Sequence, residues 1–342
     1  MGTHNVDLLP FSIVLVTEAR VRRDREPNAR SRDLDMTTPG QAQKIHELLS
    51  QVVQDVILIT DLSEFARQAP GLEKERTIVW PHWNGAEIRS RTSHAAALCE
   101  IYDLNYIGPD VYGRLISNDK SIAKVFIREA GLKTPDSLFI AGKSQTHLIE
   151  ALSMPVIVKP NMEGSSIGID DTSIARTIDE AKVICERCLE AFPDGVIVER
   201  FVSGPEIFIA IAFDEDDNMH WGCSERYVQE DSQYFLKRVY DYELKFTDKR
   251  KLALKPSALM TDSLLAKIRL LTDSIKTIDL IRVDGRLYDG EFYVIEITPD
   301  PLMTPDSEFL GSLTLAGYPP LSTLRHIVMR AATRRQGRLS SS

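Results

Sequence analysis

Three charged residues near the C-terminus have the spacing of a phosphate-handling site. In IRVDGRLYDGEFYVIEIT, Arg282 and Asp284 are two apart, so on a strand they share one face. The Asp289–Gly290 pair predicts a tight hairpin turn, which lets Glu296 join them from the paired strand. Two carboxylates beside an arginine suit Mg2+ ions bridging phosphate oxygens, with the guanidinium neutralising charge during transfer. The plain alternative is a surface charge cluster, and the intervening Val283, Val294, Ile295 and Ile297 fit either reading. A second stretch, VIVKPNMEGSSIGI (156–169), carries Lys159 from an apolar strand to a small polar loop. A lysine there can reach phosphates, and Gly164, Ser165, Ser166, Ile167 and Gly168 supply backbone N–H groups for close approach. A Gly-Ser turn between strands would look the same. VIVERFVSGPEIFIAIA adds Glu199 at a strand end and Glu206 after a Gly-Pro turn, and YDYELKF adds Lys245 in a polar loop.

The familiar nucleotide motifs do not account for these residues. Gly142-Lys143-Ser144 has the end of a Walker A loop, but the required upstream glycine is Ser137. No GxGxxG is present. Cys185 and Cys188 form a CxxC, yet they sit in a stretch of helical periodicity with no second ligand pair, which predicts a helix and not a metal or redox site.

The elements that must position these groups alternate. Apolar runs at 11–17, 56–60 and 77–80 predict strands, with helices over TTPGQAQKIHELLSQV and SHAAALCEIYD, the pattern of an open parallel sheet in residues 1–113. Residues 114–200 predict a compact α/β unit: helix 118–131, strand SLFIA, helix KSQTHLIEAL, strand PVIVK, the polar loop, a helix near 178–192 and strand GVIVERF. Residues 201–335 hold further strands, the hairpin and a helix near 319–333, and 336–342 read as a disordered tail. The 342 residues suffice for two or three domains. The net charge of −9 argues against nucleic acid as a partner. No run approaches the ~20 apolar residues of a membrane span. Four cysteines make no disulfide scaffold at this length, so a cytoplasmic location is the default expectation.

Taken in order, YIGPDVYGRLISNDKSIAK, VIVKPNMEGSSIGI, VERFVSGPE, YDYELK and RVD…EIT…MT…S resemble the ATP-grasp superfamily, and within it the D-alanine–D-alanine ligase family, from about Tyr106 to Ser307. The resemblance implies an α/β (α+β ATP-grasp) fold: an N-terminal open parallel-sheet domain followed by two α+β subdomains that clamp ATP. It implies that Lys120 and Lys159 hold the phosphates, and that Glu163, Ser165, Ser166 and Ile167 belong to the loop that closes over them. Glu199 and Glu206 would fix the adenosine, and Lys245 would reach the γ-phosphate. Asp284, Glu296 and Thr298 would bind Mg2+, two ions in the family, with Mn2+ as a substitute. Arg282 would stabilise the acyl-phosphate and the tetrahedral intermediate, and Ser307 would contact a substrate carboxylate. The implied chemistry is ATP-driven amide formation between small-molecule amino acid or carboxylate substrates, with a homodimer as the family's frequent assembly.

The sequence also departs from the family. The usual Glu-x-Asn followed by Pro-Gly reads Glu296-Ile297-Thr298-Pro299-Asp300-Pro301-Leu302. Phe246 stands where a tyrosine often follows the loop lysine. The family's early glycine pair and substrate-binding glutamate are missing, with Glu18 the nearest candidate, and His82 and Trp83 either line the substrate pocket or pack in the first domain. Six arginines between Arg20 and Arg32 either meet an acidic substrate or form a solvated loop. These departures favour a ligase with other substrates, in a dedicated biosynthetic pathway. The alternatives are a D-alanine–D-alanine (or D-alanine–D-lactate) ligase of cell-wall synthesis and a non-catalytic ATP-binding protein.

Overall fold

The fold is taken from a computed structural model, which describes residues 7–19, 35–85, 88–231, 233–236, 238–239, 244, 252–276 and 278–340. Lys245, Phe246 and the arginine-rich segment 20–32 lie outside the described residues.

The first sheet is parallel throughout, in the order β2-β1-β3-β4: β1 (Leu9–Val16), β2 (Val53–Ile59), β3 (Thr77–Trp80) and β4 (Asn105–Tyr106). Alternation along β1 shows why it is covered on both faces. Ile13 and Leu15 pack into one core cluster, and Val14 and Val16 into another. Helices α1 (Pro39–Leu49), α2 (Leu62–Gln68) and α3 (His94–Ile101) connect the strands, and α4 (Val111–Asn118) follows β4. Thr38 starts α1 with a capping box to Gln41, and Pro39 follows at the first helical position, as the Thr-Pro pair predicts.

The second sheet is antiparallel, ordered β5-β8-β6-β7, with β5 (Ser137–Ile140), β6 (Val156–Pro160), β7 (Ile174–Ala175) and β8 (Val196–Arg200). It is backed by α6 (Ile178–Ala191), whose Cys185 and Cys188 are buried in this unit's own core. Residues 143–151, expected as an α-helix, form a 3-10 helix instead. Its buried residues, Thr146 and Ile149, are three apart, which matches three residues per turn.

The third sheet is antiparallel, ordered β11-β10-β9-β12-β13: β9 (Glu206–Phe213), β10 (Met219–Val228), β11 (Leu252–Pro256), β12 (Leu280–Tyr288) and β13 (Glu291–Thr298). One face carries Ile207, Ile209, Ile211, Ile281 and Val283 into a core with α5 (Lys120–Glu129) and α7 (Asp262–Ile275). Truncating one such isoleucine to alanine costs about 2–5 kcal/mol. Ala210, Ala212 and Leu280 meet α8 (Glu308–Leu315), α9 (Pro320–Ser340) and the first sheet in a shared core. Helix α9 runs through residues 336–340, where the sequence suggests a tail. The turn into β9 needs Gly204, whose φ is +130° and whose added Cβ would lie 2.0 Å from the Leu287 carbonyl oxygen.

Candidate active site

Strands β12 and β13 present a two-by-two block of functional groups. Arg282 faces Thr298 and Asp284 faces Glu296 in the register, followed by a β-bulge. The guanidinium of Arg282 donates to both oxygens of Asp284 at 2.7 Å and to Glu308 at 3.2 Å. Burial opposes charging Arg282, but Asp284 and Glu308 more than offset it and hold the guanidinium firmly protonated. Burial, together with Glu296 and Glu308, raises the pKa of Asp284 despite Arg282. Glu296 moves the other way: desolvation is outweighed by Lys120, Arg282 and Lys159. Lys120, the first residue of α5, lies 3.4 Å from Glu296 and donates to the Glu163 carbonyl at 2.5 Å.

The second sheet faces this block across a cavity of about 580 Å³. Lys159 on β6 is ion-paired with Glu199 on β8, whose other oxygen is 2.8 Å from Lys124. Burial works against the Glu199 carboxylate, but the two lysines bring its pKa down to about 2. Glu206 pairs with Arg286 at 3.0 Å, and Arg286 also donates to the carbonyls of Val202, Phe235 and Arg238, clamping the link between the two sheets. Ser165 and Ser166 both have positive φ (49° and 61°), so the loop turns sharply at its serines.

Of the residues singled out from sequence, Lys120, Lys159, Glu163, Ser165, Ser166, Glu199, Glu206, Arg282, Asp284, Glu296, Thr298 and Ser307 all line this cavity. Ile167 does not belong to the lining. Its side chain is 1% exposed in the core of the second unit, and its N–H closes a turn to Gly164. Glu163 is a strut: its carboxylate is buried against Arg91 at 2.9 Å. Ser165 gives its hydroxyl to Asp35 at 2.7 Å, so the first domain grips the loop at two points. Ser307 caps α8, accepting from the Leu310 N–H at 3.3 Å. Leu302 lines the cavity without a left-handed backbone and packs against the shared core.

Asp300 and Arg114, which the sequence assigns no role, meet His82 here. Asp300 accepts from Trp80 Nε1 at 3.2 Å, lies 3.3 Å from His82 Nδ1, and pairs with Arg114 at 3.0 Å. Burial works against charging His82, but Asp300 and Glu18 reverse it and raise the pKa. Glu18 is buried and its pKa is raised by that burial. One oxygen accepts from the N–H groups of Asn84 and Gly85, and the other has no partner. Trp83 packs in the first-domain core.

Residues 127–329, more than half the chain, match the family described as D-ala D-ala ligase C-terminus. The chain belongs to this family. Over 295 residues it is 28% identical to a D-alanine–D-alanine ligase of Francisella tularensis subsp. novicida, covering 84% of this chain and 90% of that one. A D-alanine–D-alanine ligase of Nitratiruptor sp. is 29% identical over 211 residues, 60% of this chain and 57% of that one. The fold is similar to that of the Bacillus anthracis D-alanine–D-alanine ligase complexed with ATP (TM-score 0.68, 19% identity, 96% and 99% of the two chains). It is likewise similar to the VanG D-Ala:D-Ser ligase of Enterococcus faecalis (0.66, 17%, 94% and 100%). The protein is an ATP-dependent, ADP-forming carboxylate–amine ligase of the ATP-grasp fold that uses ATP and a divalent metal ion. Among the described residues, no three His, Cys, Asp or Glu side chains converge as a metal cage. Asp284 and Glu296 are hard oxygen donors of the kind Mg2+ takes, with both oxygens of Asp284 engaged by Arg282 and Glu296 beside Lys120. No helix among the described residues is long and apolar enough to cross a membrane.

Proposed function

We propose that the chain activates the carboxylate of D-alanine with ATP and joins it to the amine of a second D-alanine. The observation that carries the chemistry is the facing of Arg282, Asp284 and Glu296 by Lys120 and Lys159 across one cavity. The relatives' names carry the substrate. A carboxylate is a poor electrophile because its leaving group would be an oxide. Phosphorylation supplies a good leaving group, and the bound amine then displaces phosphate. Lys120 and Lys159 hold the phosphates, and Arg282 meets the negative charge that develops on the reacting carbonyl, where one well-placed donor is worth about 3–4 kcal/mol. Asp284, Glu296 and the Thr298 hydroxyl are the donors for Mg2+, which when bound neutralises phosphate charge. The grip of Asp35 and Arg91 on the loop helps keep water from the activated acid.

A second reading, a dedicated ligase for another acid–amine pair, is favoured by Asp300, which ties up His82 and Arg114 at the first-domain end of the cavity. Incubation with ATP, Mg2+ and a panel of D- and L-amino acids, singly and in pairs, separates the two. Phosphate release with D-alanine alone, yielding a mass of two alanines minus water, supports the first. Release that requires a different pair replaces it with the second.

A further inference from the structure

The cavity has an apolar end beside its charged floor. Ile157 and Lys159 are two apart on β6, so they share the face that lines the cavity. The antiparallel register sets Ile157 opposite Glu199 on β8, and the N–H of Phe201 donates to the Pro155 carbonyl, so Phe201 and Val202 continue the lining past Ile157. A nucleotide whose phosphates meet Lys159 lays its base toward this apolar end. The chain returns to the same end after β10. Tyr234–Leu236 form a 3-10 turn, Tyr234 and Phe235 are buried with Val228 and Leu244, and Val239 lines the cavity. Arg286 on β12 fastens this segment. One terminal nitrogen donates to the carbonyls of Phe235 at 3.0 Å and Val202 at 3.2 Å. The other donates to the Arg238 carbonyl and to Oε1 of Glu206, both at 3.0 Å. Arg286 is 6% exposed, and its guanidinium lies over the Phe201 ring, 5.4 Å from the centroid. On the outer side of the segment, Arg238 lies 3.7 Å from Asp171, a half-exposed pair that is worth little. Glu206 does not depend on Arg286 alone, because its other oxygen lies 4.0 Å from Arg226 of β10, which also pairs with Glu308.

We propose that Arg286 is a positioning residue that fastens residues 233–236 and 238–239 as a strap across the apolar end of the cavity, and that the strap sets how long a nucleotide stays bound. The guanidinium is a rigid fork that reaches two strap carbonyls, a third on the segment after β8 and the Glu206 carboxylate, a spread that a lysine ammonium cannot span. The strap's apolar contacts hold it to Val228 of β10 and Leu252 of β11. Without the fork, its edge over the cavity loses its tie to β12. The proposal rests on the reading of the cavity as the ATP site, and not on which acid and amine the enzyme joins.

The test is stopped-flow dissociation of fluorescent N-methylanthraniloyl-ADP from the full chain with Mg2+, displaced by excess ATP, for wild type, Arg286→Lys and Arg286→Met. No amino acid is present, so the outcome is independent of the acid and amine substrates. The dissociation rate constant should rise roughly tenfold or more in Arg286→Met, the scale of one charge-assisted hydrogen bond, and Arg286→Lys should not restore it. A lysine variant at the wild-type rate would show that pairing with Glu206 is all that Arg286 supplies, and overturns the proposal. So does an unchanged rate constant in Arg286→Met, even with a smaller amplitude, since a merely structural residue lowers the fraction of protein that binds and not the rate of release. Hydrogen exchange of the wild type gives a readout without any substitution. The amides of Tyr234 and Leu236, which donate to the carbonyls of Asp231 and Gln233, should exchange more slowly with ADP bound. Exchange unaltered by ADP overturns the proposal, and a wild type that binds no ADP overturns the reading of the cavity along with it.

Discussion

Replacing Lys124 by methionine should cost stability although the sequence assigns the residue no role. Lys124 is 1% exposed on α5, and its Nζ is 2.8 Å from Glu199 and 2.7 Å from the Thr134 hydroxyl. Removing it leaves a carboxylate that is 1% exposed with Lys159 as its remaining cation. The two lysines together bring Glu199 from 4.5 to about 2. At about 1.4 kcal/mol per unit, that net shift, left after burial has opposed it, is on the order of 3 kcal/mol. Burial lowers the pKa of Lys124 even with Glu199 beside it, so the ammonium's own desolvation offsets part of the gain. Weighed against the ~3–5 kcal/mol lost when one partner leaves a buried pair, Lys124→Met should lose about 2 kcal/mol at pH 7. The pH dependence has a definite sign. A depressed carboxylate pKa stabilises the fold above the unfolded value and loses that effect as pH falls toward the folded value. The variant's deficit should therefore shrink as pH falls from 4.5 toward 2. Urea unfolding followed by tryptophan fluorescence at pH 7 and pH 4 measures it. A variant within 0.5 kcal/mol of wild type at pH 7 (roughly the size of an ordinary surface substitution), or a deficit that grows on acidification, would refute the reasoning. Lys124→Met combined with Glu199→Gln should lose less than the two singles summed.

Lys159→Ala should weaken ATP binding by roughly tenfold or more, the scale of one charge-assisted contact, as read by titration calorimetry. Glu296→Ala should abolish turnover while the nucleotide still binds, and unimpaired turnover would remove Glu296 from the metal site. Asp300→Asn takes away the counter-charge that raises His82. Since a raised histidine pKa stabilises the fold at low pH and is lost as pH rises through the folded value, that loss should move to lower pH in the variant. Proton NMR of the His82 ring checks it, and an unshifted titration would show that Asp300 does not hold the imidazolium.

The strands were legible because apolar runs and alternation report burial directly, as along β1. The hairpin was legible too: Asp289 and Gly290 both have positive φ (52° and 74°), as a tight Asp-Gly turn demands. That turn sets the register as far as Gly285 opposite Val294, and the bulge beyond it shifts the pairing by one residue to bring Asp284 opposite Glu296. Partners separated by long stretches were not legible. Lys124 looks like any lysine on an amphipathic helix until Glu199 is folded against it. Asp300, His82 and Arg114 come from a loop, a strand end and a helix, and each is ordinary alone. Arg226 and Glu308 were missed for the same reason, although a carboxylate directly after Ser307 in the catalytic segment was the available signal. Glu163 and Ile167 were assigned to phosphate by their neighbours in sequence. In the fold Glu163 is also ion-paired with Arg91, and the Ile167 side chain lies in the core.

The central claim is that ATP activates a carboxylate before the amine attacks. It is tested most directly with D-alanine labelled with oxygen-18 in its carboxylate, incubated with ATP, Mg2+ and the enzyme, followed by mass analysis of the released phosphate. Transfer of one labelled oxygen to phosphate for each amide bond formed is the predicted result. Amide formation with unlabelled phosphate, or phosphate release without any amide product from labelled or unlabelled amino acids, would contradict it.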